Sequence, residues 1–85
     1  MGYSTDSRGI RSFWPDDDKD TLYIEQGGYC TFDYIRERMQ EHFGTCMEMD
    51  DYSIRAESIH TDCLGYDLYD SSDYTMFLII ERIKS

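Results

Sequence analysis

Basic residues are scarce in this chain: 8 Lys and Arg stand against 18 Asp and Glu, a net charge of −10 over 85 residues. That imbalance argues against a direct grip on DNA, RNA or an anionic membrane surface, each of which is itself negatively charged. Long apolar runs are missing too. The longest, Met76 to Ile80, falls far short of the roughly 20 residues that span a bilayer. Cysteine is sparse and odd in number: Cys30, Cys46 and Cys63. Gly2 to Ser12 is polar and lacks the apolar stretch of a signal peptide. The expectation is therefore a reducing cytoplasm (the host's, for a viral protein) and no disulfide framework. Gly27-Gly28 is not followed by the Gly-Lys-Ser/Thr of a phosphate loop and reads as a turn. No motif in the chain names a reaction.

The clearest positive signal is a helix from Thr31 to Gly44. Phe32, Ile35, Met39 and Phe43 recur at spacings of three and four, which makes one apolar stripe. Thr31 suits an N-cap because its hydroxyl can accept an amide left unpaired in the first turn. Gly44 suits the C-terminal stop because glycine takes left-handed conformations at little cost. Asp33, Glu37 and Glu41 fall four apart on another face. Like charges at that spacing repel by a few tenths of a kcal/mol per pair. Folding alone gives no reason for such a stripe, so it is the first candidate for function.

The remaining chain reads mostly as strands. Met1 to Ser12 is made mostly of small and polar residues, Gly and Ser among them, with Tyr3 and two Arg, and Phe13-Trp14-Pro15 follows it. Residues 1–15 are expected to be a flexible arm whose aromatics pack onto the sheet, and 16–85 a single α+β domain. Thr21 to Gln26 alternates as a half-buried strand. Tyr52, Ile54 and Ala56 alternate against Ser53, Arg55 and Glu57, and Ile59 breaks that parity, which suggests a bulge near Ser58. A helix over Asp51 to Ile59 is the competing reading. Cys63-Leu64-Gly65 suggests a kink, Tyr66 to Tyr69 a short strand, and Asp70 to Asp73 a turn. Tyr74 to Ile83 is the strongest strand, apolar on both faces, with Met76, Leu78 and Ile80 opposing Phe77, Ile79 and Ile83. The sum is an α+β fold of order β-α-β-β-β, one helix on a mostly antiparallel sheet. A single helix shields one face, so the Phe13-Trp14 segment or a second subunit must cover the other.

Two sets of residues invite a metal and fail its tests. Asp16, Asp18 and Asp20 match the opening of a calcium loop, but Thr21 stands where the loop needs Gly and Gly27 where it needs Glu. His42, Cys46, His60 and Cys63 make two His/Cys pairs, yet no C-x-x-C knuckle accompanies them. No metal and no cofactor is expected. A Cys nucleophile with a His base could be drawn from the same residues, but no elbow or oxyanion loop supports it, and catalysis is not expected. The eight Tyr mostly sit near acids; tyrosine suits both interfaces and strands.

These features point to an acidic binding protein. Asp33, Glu37 and Glu41 would stand about 6 Å apart along a helix rising 1.5 Å per residue. With Asp16, Asp17, Asp18, Glu48, Asp50 and Asp51 they could imitate the phosphates of a nucleic acid, which carries a charge every 1.7 Å or so of axis. The expected partner is a basic nucleic-acid-binding protein whose groove is blocked. In size and acidity the chain looks like small viral inhibitors, such as phage anti-CRISPR or anti-restriction proteins. The alternative is a small structural or regulatory homodimer with no such target.

Overall fold

The computed structural model describes residues 2–25, 31–60 and 74–83. Among these residues five strands and one helix follow in the order β1 (Gly2–Thr5), β2 (Arg11–Trp14), β3 (Thr21–Glu25), α1 (Phe32–Phe43), β4 (Tyr52–His60) and β5 (Tyr74–Arg82), with a 3₁₀ turn at Met49–Asp51. The strands form one antiparallel sheet of order β1-β2-β3-β5-β4. This is an α+β fold, as the alternation of residue types leads one to expect. The expected strand at Tyr66–Tyr69, the kink at Cys63 and the turns at Gly27-Gly28 and Asp70–Asp73 lie outside the described residues.

The stretch expected to be a flexible arm is instead the first hairpin of the sheet. Its turn explains why. The Asp6 carboxylate accepts the amides of Arg8 and Ile10, both at 2.9 Å. Gly9 takes the positive φ of 83° that a side chain would resist. Four-residue strands closed by such a turn give too short an alternation to stand out. Phe13 sits in β2 and is fully buried, so the aromatic anchor is part of the sheet rather than a cap on it.

The helix forms within its expected ends. The Thr31 hydroxyl accepts the Tyr34 amide, and the Gly44 amide closes on the Gln40 carbonyl at a φ of 108°. Its buried face, however, is rotated from the expected stripe. Tyr34 and Met39 are buried, Ile35 and Phe43 are half-buried, and Phe32 is exposed. Met39 and Tyr34 pack with Ile10 of the first turn, Leu22 and Ile24 of β3, Tyr52 of β4 and Ile80 of β5.

Among the described residues, the other face of the sheet is covered by its own side chains and not by a helix. Phe13 of β2 and Phe77 of β5 meet edge to face with centroids 5.8 Å apart, and both are fully buried with Tyr23 and Ile59 packed against them. Above this cluster Arg55 pairs with Glu81 at 2.8 Å and with Glu57 at 3.0 Å. Phe77 and Ile79 are buried there, and Ile83, beyond the end of β5, is exposed.

The bulge expected near Ser58 is absent. Pairing runs unbroken from Tyr52↔Arg82 through Ser58↔Met76 to His60↔Tyr74. Ile59 breaks parity because it joins the Phe13–Phe77 cluster on the far face. Tyr52 is buried under Phe43, whereas Ile54 and Ala56 are exposed, because β4 is the edge strand among the described residues and only its start meets the helix.

Burial therefore ranks β5 above β4. Ile80→Ala should destabilise the fold by about 2–5 kcal/mol, as large-to-small core changes do, while Ile54→Ala should cost under about 1 kcal/mol. Urea unfolding of both variants measures the difference.

Candidate functional site

The helix meets the first hairpin over a cavity of about 470 Å³, lined by Ser4, Ser12, Trp14, Pro15, Asp16, Lys19, Leu22, Arg38, Glu41 and His42. Arg38 is its central group. The side chain is only 11% exposed, on a helix face shared with Tyr34 and His42, each four residues away. Its Nη1 donates to the Glu41 Oε2 at 2.8 Å. Its Nη2 donates to the Ser4 Oγ at 2.7 Å and to the Ser12 Oγ at 3.2 Å. The guanidinium thus ties α1 to both strands of the hairpin. Its buried Nε has no hydrogen-bond partner among the described residues.

His42 forms the next part of the wall. Its ring lies against Trp14 at 5.1 Å and Phe43 at 4.7 Å. Burial pushes its pKa below the usual 6.5, with a hydrogen bond to the Lys19 backbone working the other way. The ring is therefore neutral at pH 7. Its buried Nε2 has no hydrogen-bond partner among the described residues. Trp14 in turn lies across Gly2, where a Cβ would run into the indole. Only glycine permits this approach.

A second tether lies at the other end of the hairpin. The Tyr34 hydroxyl donates to Asp6 Oδ2 at 2.7 Å. Burial, and then the Asp6 carboxylate, raise the Tyr34 pKa. For Asp6, burial alone would raise the pKa. The donors Tyr34, Ile10 and Arg8, with the charge of Arg38, outweigh it and hold the carboxyl below its usual 3.8.

The candidate acids all lie on the outside. Asp16, Asp17, Asp18, Asp33, Glu37, Glu41, Glu48, Asp50 and Asp51 are exposed. The strand registers gather most of them at one end. Thr21 pairs with Glu81, the Arg82 amide donates to Asp20, and the Ile83 amide donates to Asp51. The 15–20 turn and the 48–51 segment thus share the end where α1 finishes beside Trp14 and Tyr52. Lys19 and Arg82 are the basic residues in the same turns and strand end. Asp33 and Glu37 stand away from this end, along the helix. Two of the candidates also do structural work. Asp18 accepts the Asp20 amide and the Thr21 hydroxyl, which shapes the turn, and Glu41 partners Arg38.

The residues considered for zinc are not brought together. His42 sits at the helix end beside Trp14, His60 packs on Tyr74 at the far end of β4, and Cys46 is exposed; Cys63 lies outside the described residues. No helix among the described residues is long and apolar enough to cross a membrane. Sequence reasoning missed Arg38, Ser4, Ser12 and Lys19. The available signal was an arginine, Arg38, four residues from both Tyr34 and His42, on a face that a helix packed on a sheet must bury.

No protein-family model, no curated protein and no solved structure matches this chain.

Acid should weaken the fold in two stages. An unfolded His42 takes up its proton near 6.5 while the folded one resists, so stability falls as pH drops from about 6.5. An unfolded Asp6 is protonated near 3.8 while the folded one stays ionised, so a second loss begins there. The difference in urea midpoint between the native chain and His42→Gln should change between pH 8 and pH 5. A constant difference would refute the first stage.

Proposed function

We propose that this chain is a small, non-enzymatic binding protein that presents acid to a basic groove on a nucleic-acid-handling protein. The observation that carries this reading is the gathering of Asp16, Asp17, Asp18, Glu48, Asp50 and Asp51 at one end of the sheet, continued along the helix by Asp33 and Glu37, all exposed. Among the described residues, the side chains of Asp33, Glu37, Glu48, Asp50 and Asp51 make no hydrogen bond or ion pair. Asp33 and Glu37, four apart on the helix, repel by a few tenths of a kcal/mol, and a basic partner would offset that repulsion.

The mechanism is occlusion. A negative surface steers a basic groove toward it and raises the association rate. Once seated, it excludes the nucleic acid from the same groove, and no bond is made or broken. Inhibition of defence enzymes such as CRISPR or restriction nucleases is the role that suits a molecule of this size and charge. The cytoplasm, where such enzymes act, is the matching compartment. Neither a cofactor nor direct contact with nucleic acid enters this mechanism.

Immobilised protein should capture nucleic-acid-handling proteins at low salt and release them to added salt or duplex DNA. A variant with Asp33, Glu37, Asp50 and Asp51 changed to their amides should keep or slightly raise its melting temperature and lose the capture, chiefly through a slower on-rate. Captured protein that duplex DNA does not displace would overturn the mimicry. A clear fall in the variant's melting temperature would show that these acids serve the fold.

A further inference from the structure

We propose that β4 is a self-association edge, pairing antiparallel with β4 of a second copy of this chain. Among the described residues β4 is the terminal strand of the sheet. It is nine residues long, and its register with β5 is regular throughout. Three of the usual guards against edge pairing, proline, lysine and a bulge, do not occur in Tyr52–His60, and its two charges, Arg55 and Glu57, are opposite in sign. Its helix-side residues Ile54, Ala56 and Ser58 are exposed, with Ile54 41% accessible.

The sequence of the strand selects both the partner and the register. Arg55 and Glu57 flank Ala56 symmetrically. In a two-fold antiparallel pair centred on Ala56, Arg55 of each copy faces Glu57 of the other, and Ile54 faces Ser58. Shifting the centre to residue 55 sets Arg against Arg; shifting it to 57 sets Glu against Glu. Like charges directly opposite are destabilising, and unlike ones contribute. These neighbouring registers are the ones that keep both helices on the same side of the joined sheet, so the central one is favoured.

The net charge does not oppose this arrangement strongly. Within Tyr52–Ile59 the single Arg and single Glu cancel, so the strand itself is neutral in a chain of net −10. The acidic segment lies just before Tyr52. Antiparallel pairing sends the two acidic ends in opposite directions, about 30 Å apart at roughly 3.3 Å per residue. That is several times the screening length of about 10 Å at 0.1 M salt.

Light scattering on a size-exclusion column decides the matter. The native chain should move from its 10.1 kDa mass toward twice that value as concentration rises. Glu57→Arg, which sets Arg against Arg at two places per dimer, should weaken association roughly tenfold while a melting curve shows the fold intact. Adding Arg55→Glu to that variant restores opposite charges and should restore the dimer. A native chain that stays at 10.1 kDa at every concentration overturns the proposal. So does a dimer that Glu57→Arg leaves unchanged, or a folded double variant that remains monomeric.

Discussion

One arginine, only 11% exposed, holds the fold's smallest part to its largest. The β1–β2 hairpin has strands of only four residues, and a hairpin of that size is marginal alone. Arg38 reaches both of its strands through Ser4 and Ser12 and is balanced by Glu41 on its own helix. The Asp6–Tyr34 hydrogen bond pins the turn end of the same hairpin. Partners of a buried charge matter more for what their loss leaves behind than for what their presence adds. With the hydroxyls gone, the Arg38 guanidinium would lose its partners on both hairpin strands while its side chain stays only 11% exposed. The hairpin's seat, and with it Trp14, the cavity and the covering of the far face by Phe13, all follow from that contact.

Placing Arg38 inside also shapes the surface. Of 8 basic residues, one is turned inward and another, Arg55, is held between Glu57 and Glu81 on the far face of the sheet. Arg82 leans over the Tyr52 ring near Asp20. What remains outside is acid in excess, concentrated where turns and the helix end converge. The negative field of this chain is thus partly a consequence of where its few cations are committed. The neutral centre of β4 is the other side of the same division.

The sequence was legible where local chemistry is strong. Thr31 and Gly44 marked the helix because caps act within one turn, whatever the rest of the chain does. Tyr74–Ile83 was legible because apolar residues on both faces leave a strand little choice but an interior position, and β5 lies between β3 and β4. The first hairpin was obscured by its polar content, although Asp6 and Gly9 are ordinary turn residues three apart. Phe32 misled because apolar spacing does not say which polar partners the helix will turn inward, and it is left exposed. Ile54 and Ala56 alternated as if half-buried, but alternation cannot separate an interior strand from an edge. The cavity was least visible, since Ser4, Ser12 and Arg38 meet only through tertiary packing.

The same packing explains why the helix buries Met39 and half-covers Ile35 and Phe43 but leaves Phe32, the first residue of its apolar stripe, outside. Burying Phe32 in place of Arg38 would gain about 1.5–3 kcal/mol of apolar transfer. Turning the helix that way would carry Arg38 and His42 outward, leave Ser12 buried without its charged donor, and withdraw Tyr34 from Asp6. A buried hydroxyl left without a partner costs about 1–3 kcal/mol, and a hydrogen bond to a charged group is worth about 1.5–3 kcal/mol. Two such groups outweigh one exposed phenylalanine. The helix therefore settles on the face that satisfies its polar partners, and Phe32 remains on the surface as the residue of that compromise.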